Sequence, residues 1–288
     1  KSIKREQWGS KLGFVLAAVG SAVGLGNLWG FAYRSSQGGG AAFVLLYVLV
    51  VMVVCLPIFV AEFALGRNTA TSAFLAPIKA AGPKWAPLGW LFLIAPLSIA
   101  SYYAVIMGWT ADIFIQSLFV GLPLNPEESS SLFDSIHAGK RDLIGQIFSL
   151  GIGAYIISGG IKKGIEKLNK VCMPILFIIL ISLAIWAAFL SNSGEGYRNF
   201  LLNFDINQLK NPTTIRNAFS QAFFSLSLGI GIMITYASYL NKKSDLPKQA
   251  IQIASLDTIV GLMAGLITFP IIFSFGLGET ISKSTIAT

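Results

Sequence analysis

Gly20-Ser-Ala-Val-Gly-Leu-Gly-Asn27 and Phe224-Ser-Leu-Ser-Leu-Gly-Ile-Gly231 are the two stretches that decide the fold. Each lies midway along an apolar run of the roughly 20 residues that a bilayer crossing requires. Each contains an aliphatic-Gly-aliphatic-Gly core, Val23 to Gly26 and Leu228 to Gly231, with small hydroxyl residues beside it. Glycine costs a helix about 1 kcal/mol relative to alanine, and two within three residues favour local unwinding. Irregular backbone at membrane depth is tolerated where it lines a cavity or is covered by protein. There it frees carbonyls for a cation and half-helix N-termini for an anion. The competing reading makes Gly20-x-x-x-Gly24 and Gly26-x-x-x-Gly30 helix-packing faces, but two such breaks with polar residues around both favour a binding site.

Working outward, seven apolar runs read as membrane spans: Lys11–Tyr33, Ala41–Leu65, Leu88–Leu118, Leu143–Ile161, Leu168–Leu190, Ile215–Leu240 and Ile251–Phe275. They are continuous and do not alternate with period two, so they predict helices and exclude a barrel. The first run is too long for a signal peptide and has no bounding cleavage site. Only 12% of residues are charged, against about 25% in a soluble domain, so much of the outer surface faces something other than water. The two interrupted runs lie five spans apart, and an odd period inverts the second copy relative to the first, the pattern of an inverted-repeat transporter.

Charge then orients the chain. The N-terminal stretch and the even-numbered loops carry fourteen Lys and Arg residues, and the opposite side carries seven. The positive-inside rule places the N-terminus in the cytoplasm. The net charge of +8 is thereby a topology signal, and a nucleic-acid partner is not expected. Cys55 and Cys172 lie in apolar runs and His137 is the sole histidine, which excludes a disulfide framework and zinc chemistry. No nucleophile with a base and no phosphate loop appears, so the chain does not read as an enzyme. It begins without Met and stops at Thr288 soon after the seventh span, which predicts a piece of a longer protein.

Three acids fall within apolar runs. Asp257, in Ser255-Leu-Asp-Thr258 on the span after the second break, is the sharpest candidate for a hard-cation ligand beside Asn27 and Ser225. A structural acid bonded to helix ends is its alternative. Glu62 fits bonding to N–H groups of an unwound segment as well as it fits transport chemistry. Asp112, toward the outer end of span three, is expected to be solvated.

These residues carry a resemblance. Arg5-Glu-Gln-Trp8, the first glycine stretch, Gly38-Gly-Gly40, Ala61-Glu-Phe63 with Gly66-Arg67, Ser101-Tyr-Tyr103, Gly160-Ile-Lys-Lys-Gly-Ile-Glu166, Gln221-Ala-Phe-Phe-Ser-Leu-Ser-Leu-Gly229 and Ile234-Thr-Tyr-Ala-Ser-Tyr239 follow in order on successive spans. In this the chain resembles the bacterial amino-acid-transporting branch of the neurotransmitter:sodium symporter family. The resemblance implies an all-α, five-plus-five inverted-repeat, leucine-transporter-like fold, the type case of the broken-helix rule. Residues 1–190 would form the first repeat and residues 191–288 a partial second one.

The resemblance also implies roles. A first sodium site would use Ala22, Asn27, Ser225 and Asp257; a second would use carbonyls of Gly20 and Val23, with ligands from an eighth span. An amino-acid substrate would meet the N–H groups of Leu25 and Gly26, the Tyr103 phenol and carbonyls at Ala22, Phe224 and Ser225, with Ser227 assisting. Ile99, Tyr103, Phe224, Ser227 and Ile230 would form its side-chain pocket. Arg5, Trp8, Ser238 and Tyr239 would belong to the cytoplasmic gate. Monoamine carriers have an acid at the position of Gly24, so its absence points to a substrate bringing its own carboxylate.

Asn27-Leu-Trp-Gly-Phe-Ala-Tyr33 departs from the family pattern, losing the outer-gate arginine at Gly30 and a proline at Ala32. Arg34, one turn further out, is the expected substitute, with Asp112 as a possible partner. Of the chloride-region positions, Tyr47, Gln221 and Ser225 are present and the fourth is Gly261, which leaves chloride dependence open. The expectation is a sodium-coupled importer of a neutral, apolar amino acid in the bacterial inner (plasma) membrane, its oligomeric state undetermined. The alternative is a truncated or decayed paralogue that binds an amino acid without transporting it.

Overall fold

The computed structural model describes residues 6–123, 125–137 and 140–276, and among these every regular element is helical. Arg5 therefore lies outside the described residues. The first span is two helices, Lys11–Ala22 and Gly26–Gln37, bent by 61° at the break between them. Span two is Ala41–Thr69, span three Pro83–Phe119, and span five Ile161–Ala188. Span four is Lys140–Ser158, apolar over Leu143–Ser158. Span six is again two helices, Pro212–Ser225 and Ile232–Ala237, and span seven is Leu246–Ser274. The two broken spans stand five apart, so the architecture is a first five-helix repeat followed by two helices of an inverted second.

Local chemistry sets the helix starts. Ser10, Asn211 and Asp245 each accept a backbone N–H of the first turn they precede, from Gly13, Thr213 and Lys248. Such caps are worth about 1 kcal/mol each, and Pro212 and Pro247 sit where a missing N–H costs nothing. Span five corrects the sequence reading, which starts it at Leu168. The helix begins at Ile161 and is π-wound through Glu166. Its lysines suppress the apolar signal, while Glu6 supplies the partners that its first N–H groups lack. Ile161 N–H donates to Glu6 Oε2 and Lys162 N–H to Glu6 Oε1, both at 3.0 Å.

Both halves of the first and sixth spans pack with spans two and seven around buried Phe14, Phe31, Tyr47, Phe59 and Phe63. Phe31 stands edge-on to both Phe43 and Tyr47. Only 17% of the most apolar stretch of spans three and five is buried, so most of their Leu, Ile and Phe side chains face outward, as suits lipid contact. Span two and the second half of span six touch backbone to backbone: a Cβ on Gly66 would come to 2.2 Å from the carbonyl of Ile234.

The segment before span one is tied to span five from both sides. Gly9 N–H donates to Glu166 Oε2 at 2.6 Å, and Ser10 Oγ to Glu166 Oε1 at 3.0 Å. Trp8 stacks on Tyr236 with ring centroids 5.5 Å apart, and its indole N–H donates to the Tyr236 carbonyl at 2.9 Å. The Lys162 and Ile161 N–H groups hold the Glu6 carboxyl below the usual carboxylate range. A lowered value means that this anchor is in place above the ordinary value of 4.5 and is lost as the pH falls through the folded one.

Two outcomes follow. Gly66→Leu should cost the upper end of the roughly 1–3 kcal/mol of overpacking, read as a lowered unfolding midpoint in detergent. Glu6→Gln at neutral pH should speed amide exchange at Ile161 and Lys162, and the wild type should match it only in acid. Equal exchange in the two proteins at neutral pH would show that the carboxylate does not hold the segment.

Candidate functional site

The two breaks face each other and share one polar cluster. In the first, Val23 is extended, with φ −75° and ψ 121°. The Gly24 N–H, which a continuous helix would return to Gly20, donates instead to Asn27 Oδ1 at 3.2 Å. The Asn27 N–H donates to the Gly24 carbonyl at 3.0 Å. The carbonyls of Gly20 and Val23 are thereby released from their helical partners.

In the second break, Ser227, Gly229 and Gly231 have φ of 53°, 78° and 78°. Glycine accommodates such values without strain, which is why this segment turns instead of continuing the helix. Glu62 of span two holds it, its Oε1 accepting from Gly229 N–H at 2.7 Å, while its buried Oε2 has no hydrogen-bond partner among the described residues.

Between the breaks lie Asn27, Ser225 and Asp257, exposed by 2%, 1% and 0%. Asn27 Nδ2 donates to Ser225 Oγ and to Asp257 Oδ1, each at 2.7 Å. Ser225 Oγ donates to Asp257 Oδ2 at 2.5 Å. Both partners of the carboxylate are neutral, and among the described residues no Lys or Arg nitrogen comes within ion-pairing distance of it. A carboxylate removed from water strongly favours a counter-charge. Side-chain oxygens from three spans with released carbonyls nearby form a donor set suited to a small hard cation.

A cavity of about 720 Å³ opens beside this cluster. Of the expected substrate positions, Ala22, Leu25, Ile99, Tyr103, Phe224, Ser227 and Ile230 line it. Gly26 and Ser225 stand just behind. The Tyr103 hydroxyl reaches toward the Gly26 N–H, and a Cβ on Gly26 would sit 2.7 Å from the Phe224 ring. The Phe224 carbonyl already accepts from the Ser227 N–H at 3.1 Å. Gly20 and Val23 also border the cavity. Sequence reasoning missed Pro96, Ala100 and Met107 on its wall. With Ile99 and Tyr103 they recur three and four residues apart on one helical face, so extending that face would have found them.

The gate positions separate. Trp8 closes against Tyr236 and against the Tyr239 carbonyl, while Ser238 Oγ donates within its own turn to Thr235 at 2.6 Å. Arg34 takes a different partner from the Asp112 expected of it: its Nη1 donates to Gln221 Oε1 at 2.7 Å. Among the positions expected to bear on chloride, Tyr47 Oη lies close to Ser225, Thr258 and Asp257 without a well-formed hydrogen bond among the described residues. A Cβ on Gly261 would press to 3.2 Å from the Phe31 ring.

A family model described as the sodium:neurotransmitter symporter family matches residues 5–134 and 128–283. The chain belongs to that family. An uncharacterized sodium-dependent transporter, YhdH, of Bacillus subtilis (strain 168) is 39% identical over 95% of this chain and 61% of its own length. The sodium-dependent neutral amino acid transporter B(0)AT2 of Mus musculus is 26% identical over 93% of this chain and 41% of its own. A crystal structure of MhsT in complex with L-phenylalanine superposes with a TM-score of 0.88 at 41% identity, over 96% of this chain and 63% of that one. The chain thus spans about 60% of the length of the bacterial relative and of MhsT. It is a multi-pass membrane chain with the leucine-transporter-like fold.

Replacing Asp257 with Ala tests whether this buried carboxylate belongs to a cation site coupled to an amino-acid site. A coupling loss of about 1–3 kcal/mol should weaken amino-acid binding about 5–150-fold and flatten its dependence on sodium. Binding to the full chain in sodium and in potassium measures this. Unchanged sodium dependence in the variant would remove Asp257 from the cation site.

Proposed function

We propose that this chain binds the substrate and the coupling ion of a sodium-coupled importer of neutral, apolar amino acids that works by alternating access. The observation that carries the reading is the buried Asn27–Ser225–Asp257 cluster where two broken helices meet beside an apolar-walled cavity. Sodium would sit among Asn27, Ser225, Asp257 and the Ala22 carbonyl, and a second ion near the carbonyls of Gly20 and Val23. The substrate carboxylate would face that first ion and the Leu25 and Gly26 N–H groups, and its amine the carbonyls of Ala22, Phe224 and Ser225. Cation and carboxylate each supply charge that the other lacks, so each favours binding of the other.

The side-chain end of the cavity is walled by Ile99, Phe224, Ile230 and Met107. These offer no counter-charge, and a lysine or glutamate substrate would bury an unpaired one. The L-phenylalanine bound to MhsT and the name of the mouse relative support an amino-acid substrate. The excess of basic residues on one side supports a cytoplasmic N-terminus, and the Bacillus relative supports a bacterial inner membrane. Residues 1–190 and 191–288 are read as the first repeat and the start of the second. A role for chloride would fall to the expected Tyr47, Gln221 and Ser225, with the Thr258 hydroxyl beside Tyr47 in place of a side chain at Gly261.

Gly24 provides the test. A Cβ there would meet no atom within 4 Å, so Gly24→Asp should fold while placing a second carboxylate in the space of the substrate's own. Sodium-dependent binding of L-phenylalanine to the wild type should be displaced by leucine-like and aromatic amino acids far better than by lysine, glutamate or phenethylamine. The variant should lose at least about tenfold in affinity, or about 1.4 kcal/mol. Displacement by phenethylamine as strong as by L-phenylalanine would overturn the reading. Sodium-dependent binding without uptake in proteoliposomes would leave a binding protein in place of an importer.

A further inference from the structure

The relay that begins at Arg34 stands outside the cation cluster yet reaches it. Arg34 is half-buried on the outer half of span one, four residues beyond Gly30. Its Nη1 donates to Gln221 Oε1 at 2.7 Å, and Gln221, exposed by 1%, donates in turn from Nε2 to the Gly26 carbonyl at 3.0 Å. That carbonyl also accepts the Phe31 N–H, so both of its lone pairs are engaged. The other end of the same peptide, the Asn27 N–H, donates to the Gly24 carbonyl at 3.0 Å. The peptide joining Gly26 to Asn27 is therefore held at both ends. Asn27, which it carries, bonds both Ser225 and Asp257.

An arginine has donors and no acceptor. It can bind only the oxygen of the Gln221 amide, which leaves the amide nitrogen to face Gly26. Without it only the Gly26 carbonyl holds the amide in this sense, the flipped amide setting an oxygen against that carbonyl oxygen. Gly30 explains the position of the arginine: a Cβ on Gly30 would lie 3.7 Å from Gln221 Oε1. The absent side chain at position 30 leaves that oxygen to a guanidinium arriving from one turn further out.

We propose that Arg34 is a positioning residue for the sodium and amino-acid site, acting through Gln221 to hold the Gly26–Asn27 peptide. This rests on the proposed function and goes beyond it. Arg34 does not touch the ion or the substrate; it sets which atom of Gln221 meets the unwound backbone. A plain outer latch between spans one and six would need only the contact between Arg34 and Gln221. The relay needs the nitrogen of that amide as well.

Gln221→Glu separates the two. It keeps an acceptor for Arg34, now as a charged pair, and removes the donor to Gly26. Arg34→Ala, Arg34→Lys and Gln221→Glu would be compared in the full chain by the sodium concentration that half-saturates L-phenylalanine binding. Amide exchange over residues 24–31 would be measured with no ligand present. The relay requires Arg34→Ala and Gln221→Glu to raise half-saturating sodium alike, about tenfold, with faster exchange at Asn27 and Phe31, and Arg34→Lys to recover most of both. A wild-type response from Gln221→Glu would overturn it. So would an Arg34→Ala variant that only speeds substrate dissociation at unchanged sodium half-saturation. If the wild type itself binds no L-phenylalanine in sodium, the proposed function fails, and the exchange arm alone decides the relay: faster exchange in Arg34→Ala supports it and unchanged exchange overturns it.

Discussion

A carboxylate with no access to water organises this molecule. Asp257 is fully buried, and among the described residues its hydrogen bonds come from the neutral amide of Asn27 and the hydroxyl of Ser225, with the Tyr47 hydroxyl close by. Such a group is costly in a low-dielectric interior unless hydrogen bonds and an opposite charge accompany it. A continuous helix consumes its own backbone groups and can offer the carboxylate little. Two broken helices can bring side chains and released carbonyls to it together. The breaks and the acid are thus one arrangement, and the cost of each is offset by the other.

Unwound backbone must itself be held, and here three polar side chains hold it. Asn27 Oδ1 takes the Gly24 N–H, Glu62 takes the Gly229 N–H from a neighbouring span, and Gln221 of span six donates to the Gly26 carbonyl. Each lies far from water and supplies a bond that regular helix would otherwise make. The segments are therefore irregular without being loose. Their geometry is set by these side chains and not by the regular helical ladder.

The two ends of the broken spans are tied down by different chemistry. On the side of the N-terminus, Trp8 stacks on Tyr236, while Glu6 and Glu166 bond reciprocally between the preceding segment and span five. On the opposite side a single half-buried guanidinium meets an uncharged amide. The first tie shares its load among aromatic area, backbone bonds and two carboxylates.

Much of this was legible in the residues themselves. Apolar runs longer than any soluble core requires announced the spans, and paired glycines flanked by Ser and Asn announced both breaks, because local backbone preference needs no tertiary context. Asn27, Ser225 and Asp257 stood out because polar groups in apolar runs are rare enough to demand partners. Other features were decided only in three dimensions. The start of span five at Ile161 depends on Glu6, 155 residues away in sequence. The Gln221 partner of Arg34 lies 187 residues from it. Periodicity and composition report what each segment prefers alone; which oxygen meets which nitrogen across the bundle is set by how the helices pack.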